Sequence, residues 1–217
     1  LIDTEPLHAR AWQQAALHFG TDLESNQLIQ LQGRRRLDNA KLVCSWINQA
    51  ITPEQLLTVR QPIAEQLLPE AKAMEGAESL VRSAERFGIA TALVTSSDRA
   101  SVRHKIGNHP WVNGLQLMIC GDDYDLKAGK PAPDPFRLGA DRLKVKAEEC
   151  WAFEDSRAGC ESALAAGCLV WRLLRTTEKA DQLEPVEHDL LQADRLIVIS
   201  QLSEAQRSLE SVVSRDD

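Results

Sequence analysis

No apolar run in this chain is long enough to cross a bilayer, and no segment of it reads as a signal peptide. CxxC pairs are absent: the five cysteines, at 44, 120, 150, 160 and 168, are scattered. Three of them lie in apolar, strand-like runs, which points to reduced thiols in a cytoplasmic setting rather than to a disulfide framework. Positive charge is in deficit. With 25 Lys and Arg against 32 Asp and Glu, the net charge of −7 argues against a general affinity for nucleic acid or an anionic membrane. A protein of this balance that handles an anion must supply local positive charge or helix N-termini. Repeats, low-complexity stretches and long linkers are also lacking. What remains is ordinary globular composition, 43% hydrophobic and 26% charged over 217 residues, enough for one sizeable core and a modest inserted unit.

Strand signals are almost missing before residue 76. Asp3-Thr4-Glu5-Pro6 opens a helix with a cap-type residue, an acid and an early proline; Trp12, Ala16 and Phe19 keep one face apolar, and Gly20 ends it. Helical patterns continue through Ile29, over residues 36–50 and over residues 53–68, so the first third reads as all-helical. After Gly76 the pattern changes. A helix over 77–87 is followed by apolar strands at 89–94, 117–120, 150–153, 168–171 and, more weakly, 196–199. Helices are expected between them near 98–106, 135–143 and 157–166, with a last one after Ser203. Strands alternating with helices predict an α/β fold with a Rossmann-like parallel sheet covered on both faces. Trp111 and Tyr124 read as core or loop anchors.

Loops after parallel strands gather at one edge of the sheet, where open α/β folds bind ligands. Thr95-Ser96-Ser97 offers hydroxyls and the start of a helix, either an anion seat or a simple cap by Ser97. Lys130 stands in Gly129-Lys130-Pro131-Ala132-Pro133-Asp134, where two prolines limit how it can be aimed at a phosphate. Glu154 and Asp155 sit side by side after an apolar strand. Two such acids need a countercharge, and their hard oxygens suit Mg²⁺; an exposed acidic turn with Asp155 or Ser156 capping the next helix is the plainer reading. Hydroxyl, lysine and paired acids on successive strands suit metal-assisted phosphoryl transfer.

The strings VTSS, GKPAPD and FEDSRAG together resemble the haloacid dehalogenase (HAD) superfamily, in its branch of phosphatases and phosphoglucomutase-like enzymes with a helical cap. Gly121-Asp122-Asp123 with the downstream GKP is similar to the pseudouridine-5′-phosphatase type. The resemblance implies a HAD core with an inserted α-helical cap over residues 6–75 and the core over 76–217. It implies attack by an aspartate on phosphate, with Thr95 and Ser96 and Ser97 beside the phosphoryl group, Lys130 neutralising it, and Glu154 and Asp155 holding Mg²⁺. Paired acids also argue against a true dehalogenase, which needs no metal. In the cap, Gly33-Arg34-Arg35-Arg36 is a concentrated positive patch. Arg36 best matches a grip on a distal phosphate, and Arg34 and Arg35 are expected to be solvated. His8 either packs beside Trp12, one turn away, or faces the site.

One departure stands out. The family's Asp-x-Asp-Gly motif, which supplies nucleophile and general acid/base, belongs immediately before Leu1 and is not in these residues. The resemblance places it on the central strand. Without that strand its neighbours keep unpaired backbone groups, at about 1–3 kcal/mol each, against a domain stability of about 5–15 kcal/mol. The sequence as printed is therefore expected to be incomplete at that end and inactive, with Asp3 no substitute because it lies in a helix-opening string. The complete protein is expected to hydrolyse a small phosphorylated metabolite, a sugar phosphate or nucleoside monophosphate, as a monomer or small homo-oligomer. A phosphosugar mutase and a non-catalytic binding protein are the alternatives.

Overall fold

The computed structural model describes residues 1–32, 34–174 and 195–214, so Gly33 of the basic run lies outside the described residues. Four helices build the first unit: α1 (Glu5–His18), α2 (Ser25–Gln30), α3 (Arg36–Trp46) and α4 (Pro53–Leu67). In α1, Pro6 sits in the first turn, where no amide donor is needed, and Ala11, Trp12, Ala15 and Ala16 form the buried stripe. Gly20, at φ +77°, turns the chain out of the helix. A reciprocal cap opens α4: the Thr52 hydroxyl accepts from the Gln55 amide at 3.3 Å, and the Thr52 amide donates to the Gln55 side chain at 2.8 Å. Leu23, Leu31, Ala40, Val43, Ile47 and Leu56 close around Trp12 as one apolar core.

Two short strands tie the root of this unit. β1 (Ile2–Asp3) pairs antiparallel with β2 (Lys72–Ala73). The sequence predicts no strand at β2, because both its residues are exposed and show no apolar signal.

The second unit alternates as expected: α5 (Ala77–Arg86), β3 (Ala92–Val94), α6 (Arg99–Ile106), β4 (Leu117–Ile119), α7 (Asp134–Leu143), β5 (Trp151–Glu154), α8 (Arg157–Ala166), β6 (Leu169–Leu173), β7 (Leu196–Ile199) and α9 (Leu202–Val213). Every ladder in it is parallel. The sheet comes in two pieces, β3–β4 and β5–β6–β7, so β3 and β5 each carry hydrogen bonds on one side. A cavity of about 940 Å³ runs from the gap between them to the helical unit; its lining includes Leu93 and Val94 from β3, Trp151 and Phe153 from β5, and Arg36 and Arg60 from the helical unit. These strand residues are only half-buried, unlike Val170 on β6, which is fully enclosed. Apolar side chains lining an unpaired strand edge are what an added strand would cover. Trp111 packs against the cluster of Trp171, Leu173 and Leu202, whereas Tyr124 anchors nothing and is fully exposed on its turn.

Candidate active site

Three loops meet at the carboxyl ends of β3, β4 and β5. After β3, the Thr95 amide continues the ladder to Ile119 O at 2.9 Å, and the Thr95 hydroxyl accepts from the Ser97 amide at 3.2 Å. The cap of α6 is Asp98, whose Oδ1 accepts from the Ser101 amide at 2.8 Å; it is not Ser97. Asp98 stands one residue nearer the helix and takes the cap, and Ser97 has another partner: its Oγ accepts from Lys105 Nζ at 2.9 Å. Ser96 is half-buried between these residues and Gly121.

Lys130 is buried. Its ammonium donates to Val94 O at 3.1 Å, forms a short ion pair with Glu154 Oε1, and stands 5.0 Å from the Phe136 ring centroid. The Lys130-Pro131 peptide is cis. Glu154, the last residue of β5, is 9% exposed; burial raises its pKa, and the Lys130 charge works against that rise. Its second oxygen lies 3.4 Å from the Ser156 hydroxyl. Ser156 in turn caps α8, accepting from the Gly159 amide at 3.1 Å, so the plainer reading of this turn is also present. A Cβ at Gly159 would collide with the Glu154 carboxylate, so only glycine lets α8 pack this close. Asp155 is half-buried next to it on the rim of the cavity.

Two adjacent carboxylates are a fair partial seat for Mg²⁺, which keeps several waters and takes one or two protein carboxylates plus substrate phosphate. No cluster of three or more His, Cys, Asp or Glu suited to a metal occurs among the described residues. Glu154 is paired with Lys130, and Asp155 lies beside it on the rim of the cavity.

The helical unit contributes basic groups from above. Arg36 pairs with Asp98 at 3.0 Å and donates to Gln61 at 3.0 Å on an exposed rim. Arg34 is exposed, as predicted. Arg35 is not solvated: its guanidinium lies against Gly129, where a Cβ would strike it, and its Nε and Nη2 are buried without a hydrogen bond. The physical reason is local. Arg35 precedes α3 in an extended conformation, which turns its side chain away from that of Arg36, the first helical residue.

His8 sits between two basic groups that sequence reasoning missed. Its Nδ1 is 2.7 Å from Arg60 Nη2, and its Nε2 is 3.0 Å from Lys105 Nζ. Burial, then Lys105 and Arg60, hold the imidazole pKa well below its ordinary value, so it is neutral near pH 7. Arg60 occupies the buried stripe of α4 between Leu56 and Ala64 and lies over the Trp12 ring at 4.5 Å. A charged residue on an apolar stripe at i, i+4 spacing was the available signal. The Gly121-Asp122-Asp123 string is structural here. Asp122 accepts from the Arg99 amide at 2.9 Å, and Asp123 receives a two-pronged contact from Arg142 at 2.8 and 2.7 Å.

The family model described as haloacid dehalogenase-like hydrolase matches residues 1–167. Hexitol phosphatase A from Escherichia coli (strain K12) is 29% identical over 196 residues, covering 88% of each chain. A Drosophila melanogaster protein named "Probable pseudouridine-5'-phosphatase" is 30% identical over 174 residues, covering 78% of this chain and 75% of its own. Among solved structures, a HAD hydrolase of family IA, variant 3, from Entamoeba histolytica superposes with a TM-score of 0.73 at 26% identity. That match covers 94% of this chain and 90% of the other. Other relatives are longer, and this chain spans 45% of one from Arabidopsis thaliana and 58% of another.

Proposed function

The chain belongs to the haloacid dehalogenase-like hydrolase family, and from that premise we propose that it serves Mg²⁺-dependent hydrolysis of a small phosphate monoester, a sugar phosphate or nucleoside monophosphate. The observation that carries this reading is the buried Lys130–Glu154 pair beside Thr95 and Asp155, with both acids at the carboxyl end of β5. The pair sets an ammonium, held by Glu154 and Val94 O, beside the Thr95 loop, where it can offset the charge of phosphate oxygens. Relatives named as phosphatases support the same reading.

In this scheme the Thr95 hydroxyl and the backbone of Ser96 and Ser97 orient the phosphoryl group. Lys130 offsets its negative charge and is itself held in place by Glu154 and Val94 O. Asp155, with Glu154 beside it, would hold Mg²⁺. The bound ion supplies Lewis-acid neutralisation of charge on the transferring phosphoryl oxygens. The nucleophilic carboxylate is assigned to a strand seated in the cavity between β3 and β5. Its attack on phosphorus breaks the ester P–O bond, the leaving oxygen taking a proton from the general acid of the same motif to depart as the alcohol; water, giving a proton to that group, then cleaves the aspartyl-phosphate, which regenerates the carboxylate and frees inorganic phosphate. Residues 6–75 act as a cap over a core of 76–217, with His8, Arg35 and Arg36 facing the part of the substrate that does not react. Closure of the cap excludes water. The free cysteines suit a reducing, cytoplasmic setting, and no helix among the described residues is long and apolar enough to cross a membrane.

The test is phosphate release from a panel of phosphorylated metabolites, with and without chelator, by protein that includes the nucleophile strand. Turnover restricted to small monoesters and abolished by chelation is the expected result. Conversion of a hexose 1-phosphate to its 6-phosphate with no phosphate released would favour a mutase. Binding without turnover of any kind would leave a non-catalytic binding protein.

A further inference from the structure

His8 stands between two partners of the same polarity. Arg60 Nη2 approaches its Nδ1 at 2.7 Å, Lys105 Nζ approaches its Nε2 at 3.0 Å, and Lys105 Nζ also lies 2.9 Å from Ser97 Oγ. A neutral imidazole has one N–H and one lone pair. The guanidinium has donors only and stays protonated, so Nδ1 must be the acceptor. Nε2 then carries the proton and must find a lone pair. An ammonium at Lys105 has none; an amine has one and keeps hydrogens for Ser97. The other tautomer would set an N–H against the guanidinium, and an imidazolium would set N–H groups against both neighbours.

We propose that at mildly alkaline pH Lys105 is an uncharged amine in the unliganded protein and takes one proton from solvent when a phosphate-like anion docks against Ser97, breaking its hydrogen bond with His8. The phosphate identity of the anion rests on the proposed function; the protonation state does not.

The surroundings fit a lysine poised between forms. Its side chain is nearly enclosed, one of only two polar or apolar positions of α6 that are buried, the other being Val102. Burial is the main influence and brings its pKa down to about 8, with Arg60 pushing the same way. Glu5 of α1 and Asp98 at the start of α6 push back toward the charged form, and Asp98 is itself shared with Arg36 of α3. Glu70, on the short turn packed against α6, is exposed. An arriving anion adds one more negative charge beside Nζ in a site of low dielectric, which favours the ammonium. The ammonium then faces the anion, and the His8 Nε2–H is released from it. Arg60 belongs to the helical unit and Lys105 and Ser97 to the α/β unit, so the chain Arg60–His8–Lys105–Ser97 joins the two across the site.

Lysine-selective ¹³C NMR on the whole chain tests this directly. One ε-carbon is expected to titrate near 8, to vanish from the spectrum in Lys105→Met, and to move to the ordinary lysine range of about 10.4 in saturating inorganic phosphate. Lys105→Arg, which also removes the resonance, makes the assignment if the methionine variant does not fold. Calorimetry at a pH of about 9, in buffers of different ionisation enthalpy, should show proton uptake approaching one per phosphate bound in the wild type and none in the variant. Titration of Lys105 in the ordinary range without phosphate overturns the proposal. Phosphate binding with no proton uptake, while Lys105 titrates near 8, overturns the ligand-driven step. Titration near 8 with no phosphate binding supports the uncharged amine and counts instead against the phosphatase reading.

Discussion

Replacing Lys130 with Met leaves Glu154 as an uncompensated buried acid, and the consequence can be worked out with its sign. Both side chains of this pair are nearly enclosed, at 6% and 8% exposure. Breaking a buried pair from one side costs about 3–5 kcal/mol, much of it the desolvation of the surviving charge. Burial already raises the Glu154 pKa, and the Lys130 charge is the main opposing influence, so its loss raises the pKa further. An acid whose folded pKa exceeds its unfolded value binds more protons when folded, so stability falls as pH rises between the two. The deficit of Lys130→Met should therefore be small below the ordinary glutamate value of about 4.3, grow as pH rises, and level off above the raised folded pKa. Adding Glu154→Gln should recover most of the loss at neutral pH. Urea unfolding of wild type, single and double variants across this range measures it. A deficit independent of pH, or a double variant no more stable than Lys130→Met, would refute the reasoning.

Gly159→Ala should cost about 1–3 kcal/mol, because the new Cβ lands on the Glu154 carboxylate; thermal unfolding at unchanged midpoint would contradict the contact. Asp123→Asn should weaken the protein by about 1–3 kcal/mol at neutral pH by loosening its contact with Arg142. The Arg142 contact lowers the Asp123 pKa, so this loss should shrink as pH falls through that depressed value; a loss that persists in acid would show another cause. Arg35→Ala and Arg36→Ala should raise KM for a substrate with a second anionic group more than for acetyl phosphate. The Arg35 effect should be the larger, about tenfold or more, since Arg36 already holds Asp98. Equal losses on both substrates would point to damaged folding.

The β5–α8 turn was readable in the sequence because each signal agreed: an apolar run, two acids, a capping serine and small residues that let the helix lie close. The parallel character of the second unit followed from its alternation of strands and helices. The strand Lys72–Ala73 left no trace, since an exposed lysine and alanine form it through backbone pairing with β1. The division of the sheet around the cavity followed from the family resemblance, which seats a strand between its two pieces, and not from the hydrophobic pattern. Lys105 and Arg60 were passed over because a helical lysine or arginine is ordinarily solvated. Their role emerges only when the fold brings them to His8 from 97 and 52 residues away. Arg35 and Arg36 differ by one position, and backbone conformation at the helix start decides which of them turns inward.

Asp155, backed by the Glu154–Lys130 pair, is proposed to sustain metal-dependent phosphoryl transfer. The most direct measurement is the Mg²⁺ dependence of phosphate release by wild-type and Asp155→Asn protein, each with the nucleophile strand in place and each shown to be folded. The account predicts turnover that saturates with Mg²⁺ in the wild type and falls by on the order of 10²–10³ in the variant, as for loss of one preorganised electrostatic contact. Wild-type turnover that survives chelation, or an Asp155→Asn enzyme as fast as wild type at limiting Mg²⁺, would contradict it.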